Sequence, residues 1–517
     1  MTKAKAGAVP TSLAIPILGN EENSGVAGGG VMDSITVDPT AVIGPINPAI
    51  FGSFVEHMHR CVYGGIYEPD STLSDLQGFR VDVLDAVRGL APTHLRYPGG
   101  NFVSGYRWRD GVGPREIRPI RHDHAWGGIE TNQFGTHEFI DYCRRVGTVP
   151  HFCVNLGDGT PTEAAEWVEY CNGTRDTTLT RLRAANGATE PFTIPTWGLG
   201  NEMYGEWQIG KKNASEYARV AREAAVRMHA VDPTIALIAC GFENSHAWNA
   251  TVLEALAQHV DYLSLHLYIG NDDFATALAE PLMVERLSRE HGALAAMISR
   301  ELKLTKRIQL AYDEWNVWFV TQSTEDIYSL KDALAVAGCL NAFVRCADIV
   351  GMANLSLLVN VSAPIFTGPS GLVRQTIYWP LYLYRRLAGH TALRTSVHCS
   401  GYHARFTFRT WPIDEEVPYL DVSAALAPDK RRLTLAVINR HHDEPQEIEL
   451  RFVGMRPGNT WTVEQVGGPE FAADERNTIE EPNRIGVTCT TWDMSDRRSY
   501  CCTFPPRSLT MLTLPVE

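Results

Sequence analysis

Residues 196–202, "TWGLGNE", run apolar to Leu199, turn at Gly200 and end on an amide and a carboxylate, Asn201 and Glu202. A buried strand that merely ends has no need of an ionisable group at its lip. The stretch that follows, "SEYARVAREAAVRMHAV" (215–231), repeats apolar residues every three or four positions and reads as an amphipathic helix. "IALIACG" (235–241) is again a short apolar strand. Strand, helix, strand is the rhythm of a parallel sheet.

The same rhythm extends outward over residues 45–388. Eight strand candidates occur in it: "FGSFVEH" (51–57), "THLRYPGGN" (93–101), "VPHFCVNLG" (149–157), "TWGLGNE", "IALIACG", "DYLSLHLY" (261–268), "QLAYDEW" (309–315) and "ANLSLLVN" (353–360). Most finish on polar groups: Glu56-His57, Asn101, Asn201-Glu202, His266 with Tyr268, Glu314 and Asn360. Eight βα units predict a (β/α)8 TIM barrel with long loops after its second and third strands, and in such barrels functional groups gather at the C-terminal ends of the strands. A doubly wound open sheet is the alternative, but no glycine-rich phosphate loop supports it.

Past residue 389 the texture changes. "HARFTFRT", "LDVSAALA", "RLTLAVINR", "QEIELRFVG", "TWTVEQVGG" and "SLTMLTLPVE" are short strands separated by turn residues, predicting a jelly-roll-like β-sandwich over 389–517. "SITVDPTAVIG", within residues 31–44, has no helix of its own and is expected to join that sandwich. Residues 1–30, ending "GVAGGG", read as disordered or loosely attached.

The chain has 517 residues, 44% apolar and 21% charged, with a net charge of −14. That balance, without any basic run, argues against nucleic acid or an anionic membrane as the main partner. No stretch reaches the roughly 20 apolar residues that a membrane span needs. The first residues are broken by Pro10 and Pro16 and show no cleavage site, so a cytoplasmic location is expected. Triplets of the N-x-S/T type at Asn172, Asn213, Asn249, Asn354 and Asn360 keep secretion as the alternative. Eleven cysteines without CxxC spacing read as reduced, mostly buried thiols, although the adjacent pair Cys501-Cys502 has no reading from spacing.

Two carboxylates stand out. Glu202 is followed by Tyr204 and Trp207, and Glu314 by Trp315 and Trp318. Facing carboxyls are what glycoside hydrolysis requires: one protonates the leaving oxygen while the other attacks the anomeric carbon or activates water. A gap of about 5–5.5 Å goes with retention of configuration and about 6.5–9.5 Å with inversion. Aromatic walls suit sugar rings, and low polarity raises the pKa of the carboxyl that acts as acid. The plainer interpretation makes each Glu a solvated strand end. Asp313, next to Glu314, is expected to point the opposite way.

A set of blocks in fixed order carries a resemblance: "FGSFVEHMHRCVYGGIYEP", "LRYPGGNFVSGYRWRDGVGP", "ETNQFGTHEF", "GNEMYGEWQIG", "LSLHLY", "YDEWNVW" and "LVNVSAPIFTG" with "VRQTIYWP". The chain resembles the α-L-arabinofuranosidases of glycoside hydrolase family 51, densely over about 45–385. The resemblance implies a retaining exo-acting enzyme that releases terminal arabinofuranose from arabinan or arabinoxylan. Glu202 would be the general acid/base and Glu314 the nucleophile. Asn201 would hydrogen-bond the 2-hydroxyl, Glu56 and Asn101 would hold other sugar hydroxyls, and Tyr268 would support the nucleophile. Gln375 would line the same pocket, and Trp126 would shape the leaving-group side. Arg96 and His266 would hold the carboxylates in place, although a structural ion pair fits them as well. No metal and no organic cofactor is implied, and a homo-oligomer is open because family members often form them. Tyr204 and Glu206 stand where the family usually has Asp and Pro. "RHDHAWGG" and His59 also depart from the pattern. These departures bear on linkage preference, not on the core chemistry.

Rivals remain at this level. His57 and His59 form an H-x-H that could start an amidohydrolase-type metal site, but the fifth and eighth strands lack further ligands. A non-catalytic sugar-binding protein would have no use for both carboxylates. An endo-acting glucanase or xylanase on the same barrel stays possible.

Overall fold

Eight parallel strands close on themselves in sequence order. The protein is described by a computed structural model covering residues 33–318, 325, 327–495 and 499–517. The segment expected to be disordered, 1–30, lies outside the described residues, as do 31 and 32.

Strand β1 (Ser34–Pro45) precedes the barrel, which begins with β2 (Gly52–Phe54) and β3 (His94–Tyr97). A small hairpin follows, β4 (Arg121–His122) with β5 (Ile129–Glu130). The barrel resumes at β6 (Val149–Val154), β7 (Thr196–Leu199), β8 (Ala236–Ala239), β9 (Tyr262–Ile269), β10 (Gln309–Val317) and β11 (Val350–Leu355). The helix Ala214–Val231 shows why these sequences fold as they do. Asn213 caps it reciprocally with Glu216, its side chain accepting the Glu216 N–H at 3.0 Å while the Glu216 carboxylate accepts the Asn213 N–H at 3.0 Å. Its buried face, Tyr217, Ala218, Ala221, Ala224, Ala225 and Met228, packs on the barrel. The Tyr217 hydroxyl donates to the Leu199 carbonyl at 2.8 Å and accepts the Cys240 N–H at 2.7 Å, fixing the ends of β7 and β8.

The eighth strand differs from its expected span. Pairing runs over Val350–Leu355 and stops there, so Asn360 is not a strand end. Leu357, Leu358 and Val359 are apolar because the following turn is itself buried, which periodicity cannot distinguish from strand. The Asn360 amide braces that turn, donating to the Arg60 carbonyl at 2.8 Å and accepting the Thr367 N–H at 2.7 Å.

Beyond the barrel, β12 (Ile365–Gly368) and β13 (Gly371–Arg374) form a hairpin. Then come β14 (Thr391–His398), β15 (Gly401–Phe408), β16 (Trp411–Pro418), β17 (Leu420–Leu426) and β18 (Arg432–Asn439). The chain closes with β19 (Gln446–Phe452), β20 (Thr460–Gly467), β21 (Thr488–Asp493), β22 (Tyr500–Phe504) and β23 (Ser508–Pro515). Eight of these and β1 form one nine-stranded sheet in the order β21-β20-β23-β18-β17-β14-β1-β19-β22, with β1 between β14 and β19. The sheet is doubled over its own core. Trp461 of β20 touches Phe452 of β19 and Tyr500 of β22, with ring centroids 6.1 and 5.4 Å apart, although these strands are far apart in the pairing order. Cys501 and Cys502 follow the alternation of β22, Cys502 facing the core. Among the described residues no helix is long and apolar enough to cross a membrane.

The hairpin β15–β16 leaves the sheet and reaches the barrel. Tyr402 donates to the Ala275 carbonyl at 2.8 Å, and Arg286 pairs with Glu415.

Candidate active site

A cavity of about 690 Å³ opens at the C-terminal ends of the strands, lined among others by Glu56, Asn101, Trp126, Glu202, Tyr268 and Glu314. Glu202 follows β7 through Gly200 (φ +80°), and is itself left-handed at φ +43°, a conformation unusual outside glycine that aims its carboxylate inward. Its Oε1 lies 2.8 Å from His266 Nδ1, and its Oε2 accepts the Trp207 indole N–H at 2.6 Å.

Glu314 sits on an irregular strand. Ala311 pairs with Ser264 and Glu314 with His266, so β10 spends three residues where β9 spends two. This bulge corrects the expectation that Asp313 and Glu314 point opposite ways: both converge on Arg96 and His266. Glu314 Oε1 accepts from Arg96 Nη1 at 2.6 Å, and Oε2 accepts from the Tyr268 hydroxyl at 2.9 Å. His266 Nδ1 is 3.3 Å from Glu314 Oε2. One carboxylate oxygen of Glu202, one ring nitrogen of His266 and one oxygen of Glu314 lie within 4.8 Å of one another.

Arg96 is 1% exposed and organises the floor. Besides Glu314 it donates to Asn201 Oδ1 at 2.7 Å and to the Asp313 carbonyl at 3.3 Å. Burying a guanidinium costs several kcal/mol, which three partners of this geometry offset. Asn201 is thereby oriented with its amide nitrogen Nδ2 buried and without a protein partner.

Glu56 approaches from the loop after β2. Its Oε1 accepts the Phe102 N–H and the Trp126 indole N–H, each at 2.9 Å. Gly100 permits this approach, since a Cβ there would stand 2.5 Å from Glu56 Oε2. Trp126 rides on the β4–β5 connection, whose Glu130 is anchored 2.7 Å from His57 Nδ1. Asn101 lines the cavity and accepts from Gln208.

The electrostatics are those of a crowded acidic site. Burial, followed by the Glu314 charge, raises Glu56 to about 8. Burial would raise Glu202 too, but the hydrogen bond and charge of His266, then Trp207 and Arg96, hold it below its ordinary value. For His266 burial disfavours the cation, yet the Glu314 charge and the bonds to Asp313 and Glu202 raise it well above the usual histidine range. Asp313 is driven down against burial, chiefly by the Arg96 charge.

Of the residues expected from sequence, Glu202, Glu314, Glu56, Asn101, Tyr268 and Trp126 line the cavity, with Arg96, His266 and Asn201 packed behind them. Gln375 is not among the described lining residues. Its amide accepts the Tyr328 N–H at 2.8 Å and donates to the Ala363 carbonyl at 2.9 Å, bracing the backbone. The H-x-H splits: His57 is held by Glu130 and by the Tyr97 hydroxyl at 2.9 Å, while the His59 ring lies 6.0 Å from Trp126. Tyr204 stacks on Phe242 with centroids 3.9 Å apart, and Glu206 pairs with Lys211 on the surface. Sequence reasoning missed Ser356, whose hydroxyl lies 2.9 Å from that of Tyr268 and can donate to it while Tyr268 donates to Glu314, and the tip of β15–β16, whose Thr407, Phe408 and Arg409 wall the cavity.

Comparison with known proteins adds an independent line. A family model described as the alpha-L-arabinofuranosidase 1 domain matches residues 86–281, and one described as the alpha-L-arabinofuranosidase C-terminal domain matches 313–508. The probable alpha-L-arabinofuranosidase C of Aspergillus clavatus is 41% identical, the match covering 94% of this chain and 97% of that one. The intracellular exo-alpha-(1->5)-L-arabinofuranosidase of Halalkalibacterium halodurans is 42% identical over 80% of this chain and 86% of its own. The alpha-L-arabinofuranosidase of Thermotoga maritima, solved as an arabinose complex, superposes with a TM-score of 0.87 at 38% identity, covering 93% of this chain and all of that one.

Proposed function

The chain belongs to the α-L-arabinofuranosidases of glycoside hydrolase family 51, and on that premise we propose that it releases terminal arabinofuranose by a retaining double displacement. The observation that carries this is the approach of Glu202 and Glu314, whose nearest oxygens lie within 4.8 Å. That close approach favours direct attack by one carboxylate, which goes with carboxyl groups about 5–5.5 Å apart, over the inverting arrangement at about 6.5–9.5 Å.

In the first step Glu202, whose ionised form His266 favours, takes up a proton from solvent as the sugar binds. Glu314 then attacks the anomeric carbon, the bond to the leaving oxygen breaks with its electron pair, and Glu202 gives that oxygen the proton. In the second, Glu202 takes a proton from water, the water oxygen attacks the same carbon, and the bond to Glu314 breaks. Arg96 and Tyr268 hold the attacking carboxylate, each through one of its oxygens. Asn201 Nδ2, buried and unpaired within the protein, is the donor we assign to the 2-hydroxyl. Glu56, neutral at pH 7, and Asn101 are assigned to the remaining hydroxyls.

The substrate we infer is a terminal arabinofuranose on arabinan or arabinoxylan fragments, with exo action supported by the named activity of the Halalkalibacterium relative. We place the enzyme in the cytoplasm. Asn172, Asn249, Asn354 and Asn360 are buried, and exposed Asn213 is engaged as a helix cap, which makes the N-x-S/T triplets poor acceptor sites.

The test is proton NMR of p-nitrophenyl α-L-arabinofuranoside hydrolysis, read before the released sugar equilibrates. First-formed α-arabinofuranose supports the double displacement, whereas the β anomer would overturn it. Release of oligosaccharides rather than arabinose from arabinan would favour the endo-acting alternative.

A further inference from the structure

The β15–β16 hairpin turns through two residues, Arg409 and Thr410, between the paired Phe408 and Trp411. Arg409 has φ +53°, the left-handed region where such turns favour Gly, Asn or Asp. A bulky residue kept in a strained position points to a use for its side chain. Arg409 lines the cavity with Glu202 and Trp207, and its Nη2 lies 2.8 Å from Glu243 Oε1.

Glu243 is 1% exposed, and its second oxygen is buried without a hydrogen-bond partner. Burial raises its pKa and the Arg409 charge opposes this. Its neighbour Phe242 stacks on Tyr204, two residues beyond Glu202. The ion pair therefore pins the tip of a C-terminal hairpin to the Glu202 side of the cavity. On the reading that Glu202 protonates the leaving oxygen, this is where the departing sugar sits.

We propose that the β15–β16 tip, through Arg409, forms the outer wall of the subsite that receives the leaving-group sugar, and that this sugar carries no charge. A guanidinium carries five N–H donors, of which Glu243 engages one edge, leaving others for sugar hydroxyls. Glu243 balances the Arg409 charge, and Glu202, Glu280 and Glu314 line the same space, so a uronic acid would be repelled. Trp207, 59% exposed and lining the same cavity beside Glu202, offers a ring face for stacking. The hairpin is thus a specificity element supplied to the barrel by the C-terminal part of the chain.

The experiment compares kcat/KM on a 1,5-linked arabinotriose with kcat/KM on p-nitrophenyl α-L-arabinofuranoside, in the full-length protein. Arg409→Gly suits the turn conformation and removes the cation. It is expected to lower the trisaccharide-to-nitrophenyl ratio at least tenfold, mainly through KM for the trisaccharide. Arg409→Lys, which keeps a cation near Glu243, should recover part of the ratio. Equal changes on both substrates, or none, would overturn the subsite. A wild type that released arabinose from neither substrate would instead overturn the functional reading on which the subsite rests.

Discussion

Arg96 and Glu314 are joined by a 2.6 Å hydrogen bond from Nη1 to Oε1, with both side chains buried. The same guanidinium holds Asn201, so one residue sets the positions of the proposed nucleophile and of the proposed donor to the 2-hydroxyl. Lysine has a single point charge and cannot reproduce that fork. Because a misplacement of about 1 Å costs roughly 10²-fold, Arg96→Lys is expected to lower kcat on p-nitrophenyl α-L-arabinofuranoside by about that factor. Glu314→Gln, which removes the carboxylate charge of the proposed nucleophile, should lose roughly 10⁴-fold or more. Steady-state kinetics on both variants checks the pair, and an Arg96→Lys enzyme within threefold of wild type would remove the positioning role.

Glu56 titrates far from its ordinary value, near 8 against 4.5. A carboxyl raised on folding binds its proton more tightly in the native state. Its contribution to stability is therefore complete below about 4.5, and declines as pH rises from there through about 8. Glu56→Gln keeps a neutral group of the same shape and should flatten that decline, seen as a smaller fall in thermal midpoint between pH 5 and 9. The alkaline limb of kcat/KM near 8 should also move outward in the variant. An unchanged limb would mean that another group governs it.

How much of this was legible in sequence follows from the range of each interaction. The eight barrel strands declared themselves through local alternation of apolar strands and amphipathic helices, and Glu202 and Glu314 through their position at strand ends. Asp313 misled because the extra residue in β10 is a matter of register with β9, which no local pattern encodes. Asn360 misled because a buried turn is as apolar as a strand. Gln375 was expected at the cavity through resemblance; among the described residues its amide hydrogen-bonds backbone groups of Tyr328 and Ala363, contacts between segments distant in sequence. Arg409 lies 166 positions from its partner Glu243, and only a two-residue turn without glycine hinted at it.

Glu130 anchors the loop that presents Trp126. Its carboxylate is 2.7 Å from His57 Nδ1 and also accepts from the Tyr63 hydroxyl and the Asn132 N–H. Burial would raise its pKa, but His57 and these donors bring it below the ordinary value. Glu130→Ala should release the loop and with it the Trp126–Glu56 bond. A hydrogen bond between uncharged groups is worth about 0.5–1.5 kcal/mol, so KM for the nitrophenyl substrate should rise about two- to tenfold with a smaller change in kcat. Trp126→Phe, which deletes only the indole N–H, should reproduce the KM effect. If it does not, Glu130 acts by some route other than Trp126.

Asp421 on β17 ties the sheet to the barrel. It pairs with Arg345 of the helix Leu330–Arg345 and, at 2.6 Å, with Arg440 Nη2. Burial pushes its pKa up, but the Arg345 and Arg440 charges outweigh burial and lower it. A carboxyl lowered on folding contributes stability above its unfolded value of 3.8 and loses it as pH falls through the native one. Asp421→Asn leaves the buried Arg440 without its counter-charge, and removing one partner of a buried pair typically costs about 3–5 kcal/mol. Urea unfolding should show that deficit undiminished between pH 5 and 7 and narrowing below about 4, where the unfolded wild-type chain begins to bind the proton that native Asp421 still excludes. Arabinose release per folded molecule should stay at the wild-type level, because Asp421 touches neither the cavity nor any residue lining it through a polar bond. A variant with normal stability but slowed release would mean that the Arg345–Asp421–Arg440 cluster shapes the active site rather than the seam between sheet and barrel.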